Sequence, residues 1–179
     1  IFQIEKMSKS SSIFNYDKLN YFNNYYLRKD ENYQYFESYI KNSNVIKYFL
    51  NKDKIKIKKI FDNYKKNINT FHDLENISKI YYDKSFKTNL NDILDDDFNS
   101  ILKDFITSLN KVKDWSRFNL ENCVKNFIKI KKIKFAMLGK PMRLVLTNFK
   151  DGPSITDILY ILGKENTFLR LNNYINSKI

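Results

Sequence analysis

The sequence predicts an all-α fold, and three features carry that prediction. The longest apolar stripe, Phe98, Ile101, Leu102, Phe105, Ile106, Leu109 and Val112, advances in steps of three and four, the period of one helix face. No Asn-Gly or Asp-Gly pair stands between alternating apolar runs, since Asp151-Gly152 is followed by Pro153, so the hairpin signal is missing. All three glycines (Gly139, Gly152, Gly163) and both prolines (Pro141, Pro153) fall within one stretch, which leaves the rest of the 179 residues with few breakers.

Taken in order, residues 1–16 read as irregular, with the serine run Ser10-Ser11-Ser12 as a flexible or capping stretch. Asp17 is expected to cap a helix with apolar positions Leu19, Phe22 and Tyr25 or Tyr26, closed by the basic pair Arg28-Lys29. Several helices follow. Val45, Ile46, Tyr48 and Phe49 form one apolar patch, and Ile57, Ile60, Phe61 and Tyr64 form a stripe at helical spacing. Thr70 can cap a helix through Asp73, Leu74, Ile77, Lys79 and Tyr81, and Lys84 to Asn91 read as a linker. Asp95-Asp96-Asp97 supply negative charge to the N-terminus of the helix with the clear stripe, a role that suits them better than a magnesium site. After Trp115-Ser116 a helix runs through Leu120, Cys123, Val124, Phe127 and Ile128 to Lys132.

The Gly- and Pro-bearing stretch closes the chain. Gly139-Lys140-Pro141 is expected to start a short helix ending near Thr147, because proline fits a first helical turn. Gly152-Pro153 makes a turn, and Ser154 or Thr156 caps a helix with the stripe Ile155, Ile158, Leu159 and Leu162, which Gly163 stops. Lys164 to Asn176 form the last helix, with Phe168, Leu171 and Ile175 inward.

Composition narrows the function classes. Thirty-two basic residues against twenty acidic ones give a formal charge of +12, which favours a polyanionic partner. A lysine-rich codon bias would raise the same charge without any partner. Cys123 is the only cysteine, which rules out an intrachain disulfide and a cysteine-built zinc site. It falls on an apolar stripe and reads as a small core residue. No apolar run approaches the roughly 18–20 residues needed to span a bilayer, and the opening IFQIEKMSKSSS lacks the apolar core of a signal peptide. A soluble, cytoplasmic protein is expected. The chain begins at Ile1 rather than Met and reads as a piece of a longer one.

The segment KPMRLVLTN…GPSITDILYILGKENTFLRL resembles the C-terminal end of bacterial-type glutamyl-tRNA synthetases, at Pro141, Arg143, Leu146, Thr147, Pro153, Leu162, Gly163, Lys164, Glu165, Arg170 and Leu171. Asn148 departs, since that family usually has glycine after the threonine. Phe14-Asn15, Lys18-Leu19, Asn23 and Tyr26 resemble a second family segment, with Tyr21 where tryptophan is usual, and Asp114-Trp115 with Leu120-Glu121 a third. The resemblance implies a helical bundle or cage: the end of a stem-contact region over 1–29, and two helical anticodon-binding subdomains over 30–95 and 96–179. It implies tRNA(Glu) and the N-terminal catalytic domain of the same chain as partners, and a monomer. No cofactor is expected in this fragment, with ATP and Mg2+ belonging to the catalytic domain.

The same resemblance singles out residues. Arg143 matches an arginine that faces the anticodon loop and contacts its first base. Arginine suits the task through its planar fork of donors, beside backbone N–H groups near Gly152, and a bidentate base contact is worth about 1–3 kcal/mol. A surface ion pair with Asp151 or Asp157 is the competing reading. Asn67 falls where discriminating family members carry an arginine for the third anticodon base. Asparagine cannot form that fork, so this reader is expected to be relaxed, or Lys65 or Lys66 substitutes. Lys129, Lys131, Lys132 and Lys134 form a basic run that can contact tRNA phosphates or simply complement a helix C-terminus. With thirteen tyrosines and fifteen phenylalanines, no aromatic is singled out as a base platform.

Lys6-Met7-Ser8-Lys9-Ser10 spells KMSKS, the ATP-contacting signature of class I synthetases. It reads as accidental here, because the family's active-site loop lies well upstream of the Phe-Asn segment. His72 is the only histidine, so the partner His-x-x-His-like signature is missing, and no catalytic or metal-binding residue is assigned. Two other readings stay open. A helical protein-interaction module would show no salt-dependent RNA binding, and a small class I-like enzyme would bind ATP unaided.

Overall fold

The computed structural model describes residues 13–43, 53–89 and 96–177. Among these, eight helices and no strands are found: α1 (Tyr16–Leu27), α2 (Tyr33–Asn42), α3 (Lys54–Tyr64), α4 (Phe71–Tyr82), α5 (Asp96–Asn110), α6 (Arg117–Lys131), α7 (Phe135–Thr147) and α8 (Ile155–Asn176). A single 3-10 turn, Asp30–Asn32, joins α1 to α2. The all-α prediction holds. The KMSKS stretch, the serine run, the Val45–Phe49 patch, Asp95 and the linker's Leu90 and Asn91 lie outside the described residues.

The helices gather into two packed groups. In the first, α2 and α3 both pack on α4, and the rings of Phe36, Phe61 and Phe71 meet with centroids 5.6–5.7 Å apart. In the second, α8 packs against α5, α6 and α7. Leu102, Phe105, Leu109, Leu120, Leu138, Met142, Val145 and Leu159 are fully buried there, each stabilising the fold by about 1.5–3 kcal/mol. Contacts between α3 and α8 join the groups, and Lys59 seats its ammonium 3.7 Å from the Tyr160 ring centroid.

Local chemistry sets the helix ends. Thr70 accepts from the Asp73 backbone N–H while the Asp73 carboxylate accepts from that of Thr70, so both orphan donors at the start of α4 are satisfied. Ser116 and Ser154 cap α6 and α8 through their side-chain oxygens. α8 is broken at Gly163, whose φ of 77° and ψ of 167° leave the helical region. The expected separation into a helix before Gly163 and another after it is therefore found, although they run on without a loop.

Two helix starts differ from expectation. α1 begins earlier than an Asp17 cap allows: Asn15 is the cap, its side chain accepting from the Lys18 N–H at 3.0 Å, and Asp17 sits in the first turn. α7 begins at Phe135, so Gly139 and Pro141 lie inside it. Pro141 is its seventh residue and forfeits one internal hydrogen bond, since it has no N–H. Gly139 has a steric reason to be there. A Cβ at that position would stand 2.7 Å from the Phe135 ring, which rests over it one turn away.

Among the described α-helices, α1 is the least covered. Only Leu27 is buried, while Tyr16, Tyr21, Phe22, Tyr25 and Tyr26 are each more than half exposed. Its firmest tie to the body is Asn24, whose amide donates to the Ile68 carbonyl at 2.5 Å and the Lys66 carbonyl at 3.3 Å.

Candidate nucleic-acid interface

The sequence places Asn67 and Gly152 eighty-five positions apart, and the fold brings them to one cleft of about 560 Å3. One wall is the end of α3, the following loop and a face of α4: Tyr64, Asn67, Ile68, Asp73, Asn76, Ile77 and Ile80. The other wall is the loop between α7 and α8, through Phe149, Asp151 and Gly152. The lining is mainly apolar with the amides of Asn67 and Asn76 and the Asp151 carboxylate among it, which suits a flat heteroaromatic group: apolar side chains for its faces, polar groups for its edge.

Each wall is built by short-range chemistry. The Asn67 N–H donates to the Tyr64 carbonyl at 2.8 Å, which folds the loop back over α3. Beneath it, Tyr64 and Tyr81 share a buried hydroxyl–hydroxyl hydrogen bond of 2.7 Å. Burial pushes the Tyr64 phenol up to about 12. In the facing loop Gly152 takes φ 142°, open essentially only to glycine, and a Cβ there would touch the Tyr64 ring at 3.7 Å. Gly152 is thus required by backbone conformation more than by space.

Arg143 stands next to this loop, half-buried in α7. Its Nε donates to the Pro153 carbonyl at 2.9 Å, which fixes the guanidinium plane while its two terminal nitrogens take no part in that bond. Of the two expected competitors for Arg143, Asp151 lines the cleft and Asp157 is engaged elsewhere. Asp157 accepts from Arg117 Nε at 2.6 Å and from the Ser154 hydroxyl at 2.6 Å.

The lysines are distributed differently. Lys65 is turned into ion pairs with Asp30 and, at 3.6 Å, with Asp62, and its side chain is only 13% exposed. The ammonium draws the Asp30 carboxyl below its usual range, chiefly through their hydrogen bond. Lys66 is exposed beside the cleft. Lys129, Lys131 and Lys132 lie at the α6–α7 turn, the far end of the thirteen-residue α7, so about 20 Å separates them from Gly152 at 1.5 Å per residue. Lys129 is exposed, Lys131 pairs with Asp104, and Lys132 adopts a left-handed φ of 53° to close α6. The fold brings Asn67 and Gly152 into one cleft, sets Arg143 beside its 148–153 loop, and leaves this run apart.

Asp73, Asn76, Ile77, Ile80 and Phe149 are lining residues that the sequence reading did not single out. Their signal was present: 73, 76, 77 and 80 repeat at three- and four-residue steps along one face of α4, directly after the 65–70 loop. Among the described residues no group of three or more His, Cys, Asp or Glu side chains could hold a metal ion, and no helix is long and apolar enough to cross a membrane.

A basic, all-helical body with a cleft between two loops suits the class of helical nucleic-acid-binding modules. Comparison with known proteins makes the family plain. Residues 32–175 match the model of the anticodon binding domain family, and the chain belongs to that family. It is 30% identical over 183 residues to a glutamate–tRNA ligase of Buchnera aphidicola, covering 98% of this chain and 37% of that protein. A glutamate–tRNA ligase of Pelagibacter ubique is 29% identical over 178 residues, 98% of this chain and 38% of the relative. The chain thus spans little more than a third of the length of the curated relatives it matches. In fold it is similar to a crystal structure of a glutamate tRNA ligase from Elizabethkingia meningosepticum in complex with its amino acid, with a TM-score of 0.74 at 20% identity, over 98% of this chain and 35% of the other.

Proposed function

We propose that this chain is the anticodon-reading part of a glutamate–tRNA ligase and that it holds tRNA(Glu) at the cleft between the 65–70 and 148–153 loops. The observation that carries this reading is the meeting of Asn67 and Gly152 in one cleft with Arg143 held beside its far loop, residues that lie far apart in the sequence. An anticodon base unstacked from its loop would lie against Tyr64, Ile77 and Phe149. Arg143, oriented by the Pro153 carbonyl, would offer its terminal nitrogens to a base edge. The exposed lysines would add sequence-independent phosphate contacts, screened by salt. Lys65 belongs to the fold in this picture, because its charge is already paired, and Lys66 and Asn67 are left to face the third base. The stem-contact role of 1–29 and the two-subdomain division at 95–96 are part of the same proposal. ATP, Mg2+ and the chemistry of glutamate transfer would belong to the part of the relatives that this chain does not span.

The test is binding of the full-length natural protein to tRNA(Glu), to single-base anticodon variants and to an unrelated tRNA, over a salt series. Cognate affinity should fall with salt and also drop when an anticodon base changes, and Arg143→Ala should lose the second effect at the first base only. Equal binding of every tRNA would mean that charge alone is at work and would overturn the reading. Asn67→Arg should raise the preference for tRNA(Glu) over tRNA(Gln), and an unchanged ratio would remove Asn67 from the proposal.

A further inference from the structure

The two walls of the cleft are tied to each other just behind it. Arg170, on the second segment of α8, is 2% exposed. Its Nη1 donates to the Leu146 carbonyl at 2.5 Å, at the end of α7. Its Nη2 donates to the carbonyls of Ile80 at 2.5 Å and Asp83 at 3.2 Å, at the end of α4. The guanidinium lies 4.0 Å from the Phe86 ring centroid, so one planar cation joins two helix C-termini across the seam between the helix groups. Ile80 lines the cleft, and Leu146 stands three residues before Phe149, which lines the opposite wall.

A second tie lies at the surface. Asn148 closes α7 with φ 61°, a left-handed conformation that glycine adopts without cost. Its side chain uses both ends: Oδ1 accepts from the Asn89 N–H at 2.8 Å, and Nδ2 donates to the Lys87 carbonyl at 3.1 Å. Thr88 adds a hydroxyl bond to the Val145 carbonyl at 2.9 Å. The segment after α4 is thereby pinned to the last turn of α7 and to the first residue of the loop that forms the second wall.

We infer that Arg170 and Asn148 form a two-point clamp that sets the width of the cleft, and that both are positioning residues for base discrimination. This rests on the anticodon reading proposed above. Neither residue lines the cleft; each acts through the backbone that carries its walls. A clamp on backbone groups holds the end of the α4 wall and the end of α7 at a fixed separation before a base arrives, which is what selection by edge hydrogen bonds requires.

The test uses Asn148→Gly, which keeps the left-handed backbone and deletes only the side-chain tie, and Arg170→Lys, which keeps the charge but cannot span both segments. In the full-length protein, both variants should bind tRNA(Glu) with an unchanged salt slope. Discrimination against anticodon variants should fall roughly 2- to 30-fold. Retained discrimination in both variants overturns the inference while leaving the anticodon reading intact. A second measurement needs no tRNA. Nitroxides at Asn76→Cys and Asp151→Cys, in a Cys123→Ser background, report the wall-to-wall distance through dipolar broadening. Broadening should weaken and its distribution spread in Asn148→Gly. An unchanged spectrum in both variants overturns the clamp even where the wild type shows no anticodon preference, the result that would instead overturn the reading on which it rests.

Discussion

Two arginines in neighbouring helices spend their donors in opposite ways. Arg170 is closed off from solvent and gives its terminal nitrogens to three backbone carbonyls, and burial lowers its ionisation to about 10. Arg143 is half-buried, and its bond to Pro153 is made by Nε. The first is committed to the fold, the second is held in place by a bond that its terminal nitrogens do not make. Residue type and sequence position do not distinguish them, as both stand in the stretch that resembles one family. What separates them is which backbone groups lie within reach of each nitrogen.

The largest effect should come from breaking the buried member. Arg170→Met leaves the Leu146, Ile80 and Asp83 carbonyls short of a donor. With each unsatisfied buried group costing about 1–3 kcal/mol, the loss in urea unfolding should be about 3 kcal/mol or more. A loss under about 1 kcal/mol would mean that water replaces the guanidinium and that the seam is not held there. Arg143→Ala should do the reverse: stability within about 1 kcal/mol of wild type, and a loss of about 1–3 kcal/mol in preference for the cognate first anticodon base. If it unfolds the protein as Arg170→Met does, the contrast between the two arginines fails.

Smaller effects sharpen the same contrast. Thr70→Ala removes half of the reciprocal cap that starts the α4 wall, and should cost about 1 kcal/mol by thermal or urea unfolding. Lys56 supplies a pH test of the contact between α3 and α4. Its ammonium donates to the Tyr81 carbonyl at 3.0 Å and lies 4.6 Å from the Tyr82 ring centroid, and burial depresses its ionisation to about 8. In the unfolded chain that lysine stays protonated up to its usual 10.5, so between about pH 8 and pH 10 the unfolded state holds more protons. Stability from this group therefore rises with pH in that window. Melting temperature should rise more from pH 8 to pH 10 in wild type than in Lys56→Met; equal slopes would place the ammonium in water. Lys131→Ala, which breaks only the exposed pair with Asp104, should change stability by less than about 1 kcal/mol.

Much of the fold was legible because local rules decide it. The stripe of α5, the Thr70 cap, the Ser154 cap and the break at Gly163 each follow from a few neighbouring residues, and each is found. Pro141 was misplaced for a reason of tertiary origin. A helix start at proline is a sound local rule, but the packing of Phe135 over Gly139 and of Leu138 into the core extends α7 backward by more than a turn. The candidate interface was legible in pieces only. Resemblance pointed to Arg143 and Asn67, and turn chemistry to Gly152, while the meeting of Asn67 and Gly152 in one cleft with Arg143 beside it depends on the seam between α3, α4 and α8, which no local spacing encodes. Lys65 shows the same limit. A lysine in a basic run looks available until Asp30, thirty-five positions away, takes up its charge.

The central claim is that the cleft between the 65–70 and 148–153 loops takes anticodon bases, and photochemical attachment tests it most directly. A tRNA(Glu) carrying 4-thiouridine at the middle anticodon position, bound to the full-length protein and irradiated, leaves a covalent mark on whatever that base touches. Attachment within residues 64–80 or 143–153 is the expected result. Attachment confined to the 129–134 turn or to the exposed aromatics of α1, with the cleft unmarked, would contradict it.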